Sequence, residues 1–215
     1  MKKCCLVPSI ILCSLTCASF AAQPVHLTLV GKEQGWIQGE TTISRPGVEN
    51  TIEALAYTHM VAAEPDPKTG RAGDVRNHYP ITILKRIDKA SPRLFQAWRN
   101  GEPCTATFRF YRPNPSGDGT IQHFYTVVLK GAQISGIRRQ VPSAFDSASA
   151  SSPPVERVSF TYGLITEIYH PDGDFESSDD WRASTAKIPL SDVNFDGIVN
   201  MKDFVILADD WMTQY

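Results

Sequence analysis

Short runs of alternating apolar and polar residues recur between residues 25 and 169, and residues typical of turns separate them. Apolar side chains at every second position predict strands with one buried face, because successive side chains of a strand point to opposite faces. Many short strands joined by turns favour a mainly β fold, an antiparallel barrel or sandwich. The predicted strands are residues 25–30, 36–40, 51–61, 81–86, 106–111, 123–129, 133–138, 157–162 and 164–169.

One segment departs from this pattern and predicts a short α-helix. Ser91 can cap its N-terminus, Pro92 suits its first turn and Gly101 suits its exit. Three apolar residues share one face of this helix, and we expect that face to pack on the barrel: Leu94, Phe95 and Trp98.

Three stretches lack any apolar period and predict loops or linkers. Residues 64–73 combine prolines, glycines and mixed charge, and residues 142–154 are rich in Ser, Ala and Pro. Residues 171–190 are acidic and polar around Trp181, and we interpret them as a linker. The expected organisation is therefore a barrel over residues 22–170, the linker, and a small C-terminal unit over residues 191–215.

The N-terminus has the pattern of a secretory signal peptide. Lys2 and Lys3 precede an apolar run over residues 6–17, and small residues follow it. Cleavage is expected after Ala21 or Ala22, which predicts a secreted or periplasmic protein. The apolar run is too short for a comfortable membrane span. A lipoprotein anchor at Cys17 fits less well, because Leu15 and Thr16 make a poor lipobox.

Charge and cysteine content narrow the possible chemistry. Removing residues 1–21 takes away two lysines and no acids, which changes the net charge from −2 to −4 and argues against a nucleic-acid partner. Of the five cysteines, four leave with the leader, so Cys104 cannot form a disulfide within one mature chain. We expect Cys104 to be a buried small side chain rather than a nucleophile.

Three segments, taken in chain order, carry sequence motifs that resemble those of one known protein family. They are Ile37-Gln38-Gly39-Glu40, residues 70–92 with the run Lys85-Arg86-Ile87-Asp88-Lys89-Ala90-Ser91-Pro92, and residues 155–165 with Val158-Ser159-Phe160-Thr161-Tyr162. Together they resemble the opening strand, the strand that runs into the single helix, and the closing strand pair of the Hcp (hemolysin-coregulated protein) family. The resemblance covers about residues 27–170.

Hcp proteins are the tube proteins of type VI secretion, so the resemblance implies an antiparallel β-barrel flanked by one helix. It also implies homo-hexameric rings that stack into an expelled tube, which carries effector proteins and is not an enzyme. Typical members lack a cleavable signal, a long loop at residues 142–154 and a C-terminal extension. An exported copy with all three features is expected to have the family's fold, with tube formation left open.

Residues 192–203 match the twelve-residue calcium loop of EF-hand type. Gly197 occupies the sixth position, where the chain must turn sharply, and the oxygen ligands are expected at the positions that surround one ion. The predicted Ca²⁺ ligands are Asp192, Asn194, Asp196, Ile198 (backbone carbonyl), Asn200 and Asp203. The alternative is a solvated acidic turn before a C-terminal helix.

Asp203 at the last ligand position resembles dockerin loops in particular. The residues after it line one face of a short helix, as in a dockerin half-repeat: Phe204, Ile206, Leu207 and Trp211. Complete dockerins carry two repeats, and only one is found here, because Ser177 and Ala183 occupy ligand-loop positions of the one earlier acidic stretch. The lone repeat could dock on its own barrel, pair with another subunit or serve as a sorting tail.

Other candidate chemistry is sparse. The five histidines show no short metal-binding spacing, although folding could still assemble a zinc or acid–base site: His26, His59, His78, His123 and His170. A basic set could form a solvated face or pair between subunits: Lys85, Arg86, Lys89, Arg93, Arg138 and Arg139. We expect an exported assembly protein of the Hcp kind. The alternative is an extracellular or periplasmic binding module that docks to a partner through its dockerin-like repeat, and a hydrolase has almost no support.

Overall fold

The structure is a computed structural model that describes residues 23–65, 67, 70, 72–143, 145 and 152–180. The expected signal peptide at residues 1–21 lies outside the described residues. So do the C-terminal part of the linker, residues 181–190, and the calcium unit, residues 191–215.

Within the described residues the chain is mainly β, with one helix. Its elements are, in order, β1 (Val25–Gly31), β2 (Gly35–Ile37), β3 (Ile52–Thr58), β4 (Val61–Pro65), β5 (Ala72–His78), β6 (Ile81–Arg86), α1 (Ser91–Arg99), β7 (Cys104–Pro113), β8 (Ile121–Gln140), β9 (Val155–Thr161), β10 (Leu164–Tyr169) and β11 (Phe175–Asp180).

Six strands close a ring through antiparallel backbone pairing. The order is β7-β1-β3-β6-β9, and β8 pairs with both ends of this row, with β9 through residues 133–140 and with β7 mainly through residues 121–132. Strand β2 pairs with β1, while β10 pairs with β8 and carries β11 on its other side. The predicted antiparallel barrel with one helix is confirmed for this part of the chain.

Strand β8 makes the closure possible. Two predicted strands, residues 123–129 and 133–138, are one strand of 20 residues in the structure. Gly131 has a φ of 60°, and the pairing register shifts between Cys104 and Ala106 and again between Ile134 and Gly136. Such irregularities bend a strand and increase its twist. The bend lets one continuous strand leave the partner β7 and take up the partner β9.

The barrel interior follows from the alternation in the sequence. Inward positions of the six strands bury aliphatic and aromatic side chains, which include Leu27, Leu29, Ile83, Phe108, Leu129 and Phe160. Phe108 and Phe160 meet edge to face across the barrel, with ring centroids 6.1 Å apart. A closed barrel of six strands is narrow enough for side chains to fill it.

Three strands were not predicted. Residues 64–73, expected to be a loop, contain the end of β4 and the start of β5, which form a separate hairpin, and residues 175–180, expected in the linker, form β11. The predicted strand at residues 51–61 ends early, at Thr58, and only its last residue, Val61, belongs to β4. All three unpredicted strands lie at sheet edges, and β11 (Phe-Glu-Ser-Ser-Asp-Asp) is almost fully exposed.

The helix packs differently from the expectation. Ser91, Leu94 and Ala97 are buried, whereas Phe95 and Trp98 are each 44% exposed. Small residues at Ser91 and Ala97 allow the helix to approach the barrel closely, so the aromatic side is turned outward. The prediction that Phe95 and Trp98 bury against the barrel was therefore wrong.

The helix start differs as well. Ser91 is the first residue inside the helix rather than its N-cap. The N-cap position is Ala90, whose side chain makes no capping hydrogen bond. The Asp88 carboxylate accepts a hydrogen bond from the Ala90 backbone N–H at 3.0 Å instead. The expected cap at Ser91 was wrong because its hydroxyl is used in a tertiary contact.

Candidate functional site

The motif at residues 85–92 contributes three residues to a polar cluster, which is buried except for the exposed Arg139. We call this cluster the helix anchor: Lys85, Asp88, Ser91, Arg139 and Glu156. Lys85 Nζ lies 2.9 Å from Glu156 Oε1 and 2.7 Å from Asp88 Oδ1. Ser91 Oγ donates to Glu156 Oε1 at 2.6 Å, and Arg139 Nε donates to the other oxygen, Oε2, at 3.0 Å. The helix anchor therefore joins β6, α1, β8 and β9 at one point.

Strand alternation places Lys85 inside the protein. Ile81, Ile83 and Lys85 occupy the three buried positions of β6, and Lys85 is fully buried. A buried charge needs partners for all its hydrogen atoms, and Lys85 Nζ also donates to the Arg86 backbone carbonyl at 2.7 Å. The basic set therefore does not form one solvated face, since Lys85 belongs to the interior.

A second buried carboxylate holds the other end of the helix. Glu102 Oε1 accepts backbone hydrogen bonds from Glu33 at 2.7 Å and Gln34 at 2.8 Å, and Gln34 Nε2 donates to Glu102 Oε2 at 2.8 Å. Burial alone would raise the pKa of the Glu102 carboxyl, but these hydrogen bonds outweigh burial and lower it. Glu102, which lies just after the C-terminal end of α1, is thus hydrogen-bonded to the turn between β1 and β2.

The rigidly held helix presents an aromatic surface, which we define by Phe95 and Trp98. Their rings lie 5.5 Å apart, and the Arg139 guanidinium lies 5.6 Å from the Phe95 ring centroid. Trp36, on β2, is also exposed, and it shares a shallow surface pocket with Arg93 of the helix. Exposed aromatic and arginine side chains are the residue types most often found at protein interfaces.

A cleft of about 350 Å³ lies between the β4–β5 hairpin and the β10–β11 hairpin. Asp179 on β11 accepts from Arg76 Nη1 at 2.9 Å, and its other oxygen lies 3.1 Å from His78 Nε2. Tyr162 Oη lies 2.7 Å from His59 Nε2 and 3.0 Å from His78 Nδ1. These contacts fasten the hairpin of β4 and β5 to the strands beside the barrel.

Burial shifts the pKa of two ring groups in the cleft. Burial lowers the pKa of His59, although Glu167 acts in the opposite direction. Burial, with the nearby Glu167 and Asp179 carboxylates, raises the pKa of Tyr162 to about 12. The Tyr162 hydroxyl is therefore protonated at neutral pH and can donate a hydrogen bond to one of the two histidines.

Folding also brings together two of the scattered histidines on the other side of β10. His123 Nε2 and His170 Nε2 lie 2.9 and 2.8 Å from the same atom, Thr126 Oγ1. Their rings are 4.4 Å apart. The sequence could not reveal this pair, because 46 residues separate its members.

Groups typical of catalysis are not assembled elsewhere in the described ranges. Cys104 is buried, and burial raises the pKa of its thiol to about 11, so it is a poor nucleophile. Across the residues that the structure describes, no set of three or more His, Cys, Asp or Glu side chains is placed to hold a metal ion. The predicted calcium ligands, Asp192 to Asp203, lie outside those residues.

The described part of the chain contains no helix with the length and hydropathy needed to cross a membrane.

The comparisons with known proteins agree on one family. The family described as "Type VI secretion system effector, Hcp" matches residues 26–169. The "Major exported protein" of Pseudomonas aeruginosa is 34% identical over 173 residues, which cover 77% of this chain and 99% of that protein.

Solved structures give the same result. A crystal structure of an Hcp protein is 27% identical, with a TM-score of 0.66, and the alignment covers 75% of this chain and 99% of that one. The secreted protein Hcp3 from Pseudomonas aeruginosa is 28% identical, with a TM-score of 0.58 and coverage of 75% and 100%. Because the family match spans more than half of the sequence, this chain belongs to the Hcp family of type VI secretion system effectors.

Proposed function

We propose that this chain is an exported structural protein that assembles with copies of itself into hexameric rings. The observation that carries the proposal is the aromatic surface of α1, where Phe95 and Trp98 are exposed on a helix that buried ion pairs hold in place. A rigid exposed aromatic surface loses little side-chain entropy on binding, so it suits a permanent contact. A head-to-tail contact between two different surfaces closes into a ring when its rotation permits.

Strand β11 offers a second surface for such a contact. Within the described ranges its backbone pairs only with β10, and the Phe175 ring on this strand is exposed. A strand at the edge of a sheet can accept a strand or loop from another chain. The helix surface and this edge are different surfaces of one subunit, as a head-to-tail ring requires.

Export is the second part of the proposal. The leader at residues 1–21 has the charge and length pattern of a cleavable signal, and the relative from Pseudomonas aeruginosa is named an exported protein. A ring former that crosses the inner membrane by its own signal would assemble outside the cytoplasm. Rings in that compartment need not stack into a tube.

The third part is a calcium-binding tail. Asp192, Asp196 and Asp203 supply carboxylates at three positions of the EF-hand pattern, and Gly197 permits the turn. We expect calcium binding and folding of this repeat to be coupled, because a metal site is rarely formed in an unfolded chain. We assign this tail, which follows the barrel in the sequence, to a docking or sorting role.

Electron microscopy of the purified mature chain, with and without calcium, tests the assembly. The proposal expects ring-shaped particles with sixfold symmetry. A field of single barrels under both conditions would overturn it and favour the alternative, a secreted binding module that docks to a partner through its dockerin-like tail.

A further inference from the structure

His123 and His170 lie where β8, β10 and the turn into β11 meet. His123 belongs to β8, and His170 follows β10 and is fastened to β8 by a backbone hydrogen bond to the Phe124 carbonyl at 3.0 Å. Thr126, three residues after His123, points its hydroxyl between the two rings. Three side chains from two segments therefore converge on one point.

The hydrogen bonds indicate which histidine ring nitrogen can offer its lone pair to a metal ion. A carboxylate only accepts hydrogen bonds, and Asp174 Oδ1 lies 2.8 Å from His170 Nδ1. Nδ1 of His170 therefore carries a proton, and in the neutral form of the ring its Nε2 presents a lone pair to the Thr126 hydroxyl. A histidine whose far nitrogen donates to a carboxylate is the usual arrangement of a metal-binding histidine.

The second ring is held against the first. His123 Nε2 lies 2.9 Å from Thr126 Oγ1, and the His123 ring lies 4.4 Å from the His170 ring. Tyr111 packs on its other side at 5.2 Å and limits its rotation. One tautomer of His123 points its Nε2 lone pair at the same spot as His170.

We propose that His123 and His170 bind a divalent transition-metal ion through their Nε2 atoms, with the Thr126 hydroxyl and water in the remaining positions. Neutral imidazole suits Zn²⁺, Ni²⁺ and Cu²⁺. A zinc–nitrogen bond is about 2.0–2.1 Å, shorter than the 2.8 and 2.9 Å hydrogen bonds to Thr126, so an ion seated beside the hydroxyl would draw both rings closer to itself.

The surrounding charges allow such an ion without favouring it strongly. Asp174 supplies a negative charge behind His170, whereas Arg109, on the neighbouring strand, opposes a cation. Arg109 Nη1 is directed to Thr28 Oγ1 at 2.9 Å. With only two protein nitrogen atoms in the site, binding is expected to be weaker than at a structural zinc centre with four protein ligands.

The ion would pin the turn between β10 and β11 to the barrel. That turn contains Asp172 and Gly173, both with positive φ, and it leads directly into the exposed strand β11. An ion that binds only the folded state raises its stability, and the gain grows with the logarithm of the free ion concentration relative to the dissociation constant. The site would therefore stiffen the last described strand before the C-terminal tail.

Calorimetric titration with Zn²⁺ and with Ni²⁺ tests the site. The purified chain must lack a polyhistidine tag, and the buffer must contain calcium so that the tail loop does not take the added metal. The expected result is one ion per chain, lost in His123→Ala and in His170→Ala. His59→Ala is the matched control, because His59 belongs to the other histidine pair and should leave binding unchanged.

A substitution at an exposed residue separates a loss of metal binding from a loss of folding. Asp174 is exposed, so Asp174→Asn should leave the fold intact and weaken metal binding by about 10–100-fold. A stoichiometric ion that is retained in His170→Ala, or one that His59→Ala removes, would overturn the assignment. So would the absence of any binding by the wild-type chain.

Discussion

Ser91 Oγ donates a 2.6 Å hydrogen bond to Glu156 Oε1, and this bond joins the first residue of α1 to the barrel strand β9. Lys85 Nζ reaches both atoms, at 3.3 Å from the hydroxyl and 2.9 Å from the carboxylate. Ser91 and Glu156 are 65 positions apart in the chain. Their contact explains why the Lys-Arg-Ile-Asp-Lys-Ala-Ser-Pro motif and the Val-Glu-Arg-Val-Ser-Phe motif occur together.

The helix anchor predicts a large effect of removing one charge. Lys85→Met leaves the Glu156 carboxylate buried and short of a partner, and breaking a buried ion pair costs about 3–5 kcal/mol of unfolding free energy. Urea denaturation measures this loss. Lys89→Met is the matched control, because Lys89 is exposed and its removal should change stability by less than about 0.5 kcal/mol.

Replacing both partners should undo much of the damage. The double variant Lys85→Met with Glu156→Leu removes the Lys85–Glu156 pair and leaves the Asp88 carboxylate with the Ala90 backbone N–H. Apolar replacements of a buried pair are often neutral, so the double variant should lose less stability than the two single variants added together. The helix anchor is contradicted if Lys85→Met costs no more than Lys89→Met, or if the double variant is the sum of two large losses.

Glu102 predicts a pH dependence of stability. Its folded pKa lies below the ordinary value of 4.5, so its contribution is fully present above about pH 4.5 and is lost as the pH falls through the lower folded value. Glu102→Gln should therefore lower the melting temperature most at neutral pH, and the difference from wild type should shrink in acid.

Melting curves between pH 7 and pH 3 test this dependence. Glu176→Gln, on exposed β11, is the control that should follow the wild-type profile. A difference between wild type and Glu102→Gln that stays constant or grows in acid would contradict the hydrogen-bonded carboxylate at this position.

Neighbouring residues of α1 should have opposite effects. Leu94 is fully buried, so Leu94→Ala should cost about 2–5 kcal/mol of stability. Trp98→Ala and Phe95→Ala should leave the unfolding free energy of the subunit nearly unchanged but reduce the fraction of assembled rings. Sedimentation velocity together with urea denaturation separates the two effects, and a Trp98→Ala protein that assembles like wild type would remove the aromatic surface from the interface.

The calcium tail should behave as a separate unit. Chelation is expected to lower the stability of residues 191–215 and to leave the barrel transition nearly unchanged, because binding energy is linked only to the part that folds around the ion. Asp196→Ala should abolish calcium binding in calorimetry, since it removes a ligand oxygen. Asp209→Ala, beyond the loop, is the control, and equal loss in both variants would contradict the EF-hand assignment.

Several barrel strands could be predicted because they are short apolar-rich runs between residues typical of turns. Residues 81–86 and 164–169 are two such runs, and the structure places strands at the same residues. The edge strands β4, β5 and β11 could not be predicted, because backbone pairing with one neighbour holds them and their sequences show no alternating apolar pattern. The single strand β8 was divided in two for a related reason, since Gly131 reads as a turn but marks a bend.

The candidate sites were less predictable than the fold. The apolar periodicity of the sequence predicted that Phe95 and Trp98 lie on the buried face of α1. In the structure α1 packs on the barrel through the side that carries the smaller residues Ser91 and Ala97. Lys85 was interpreted as surface charge because its counter-ion Glu156 lies 71 residues away. The histidine pairs were invisible for the same reason, since only the closed barrel brings their members together.

Light scattering of the mature chain, measured on a size-exclusion column over a range of concentrations, tests the central claim most directly. Self-assembly through the helix surface predicts a particle of six times the chain mass, which dissociates more readily when Trp98 is replaced by Ala. A mass of one chain at every concentration, with and without calcium, would contradict it.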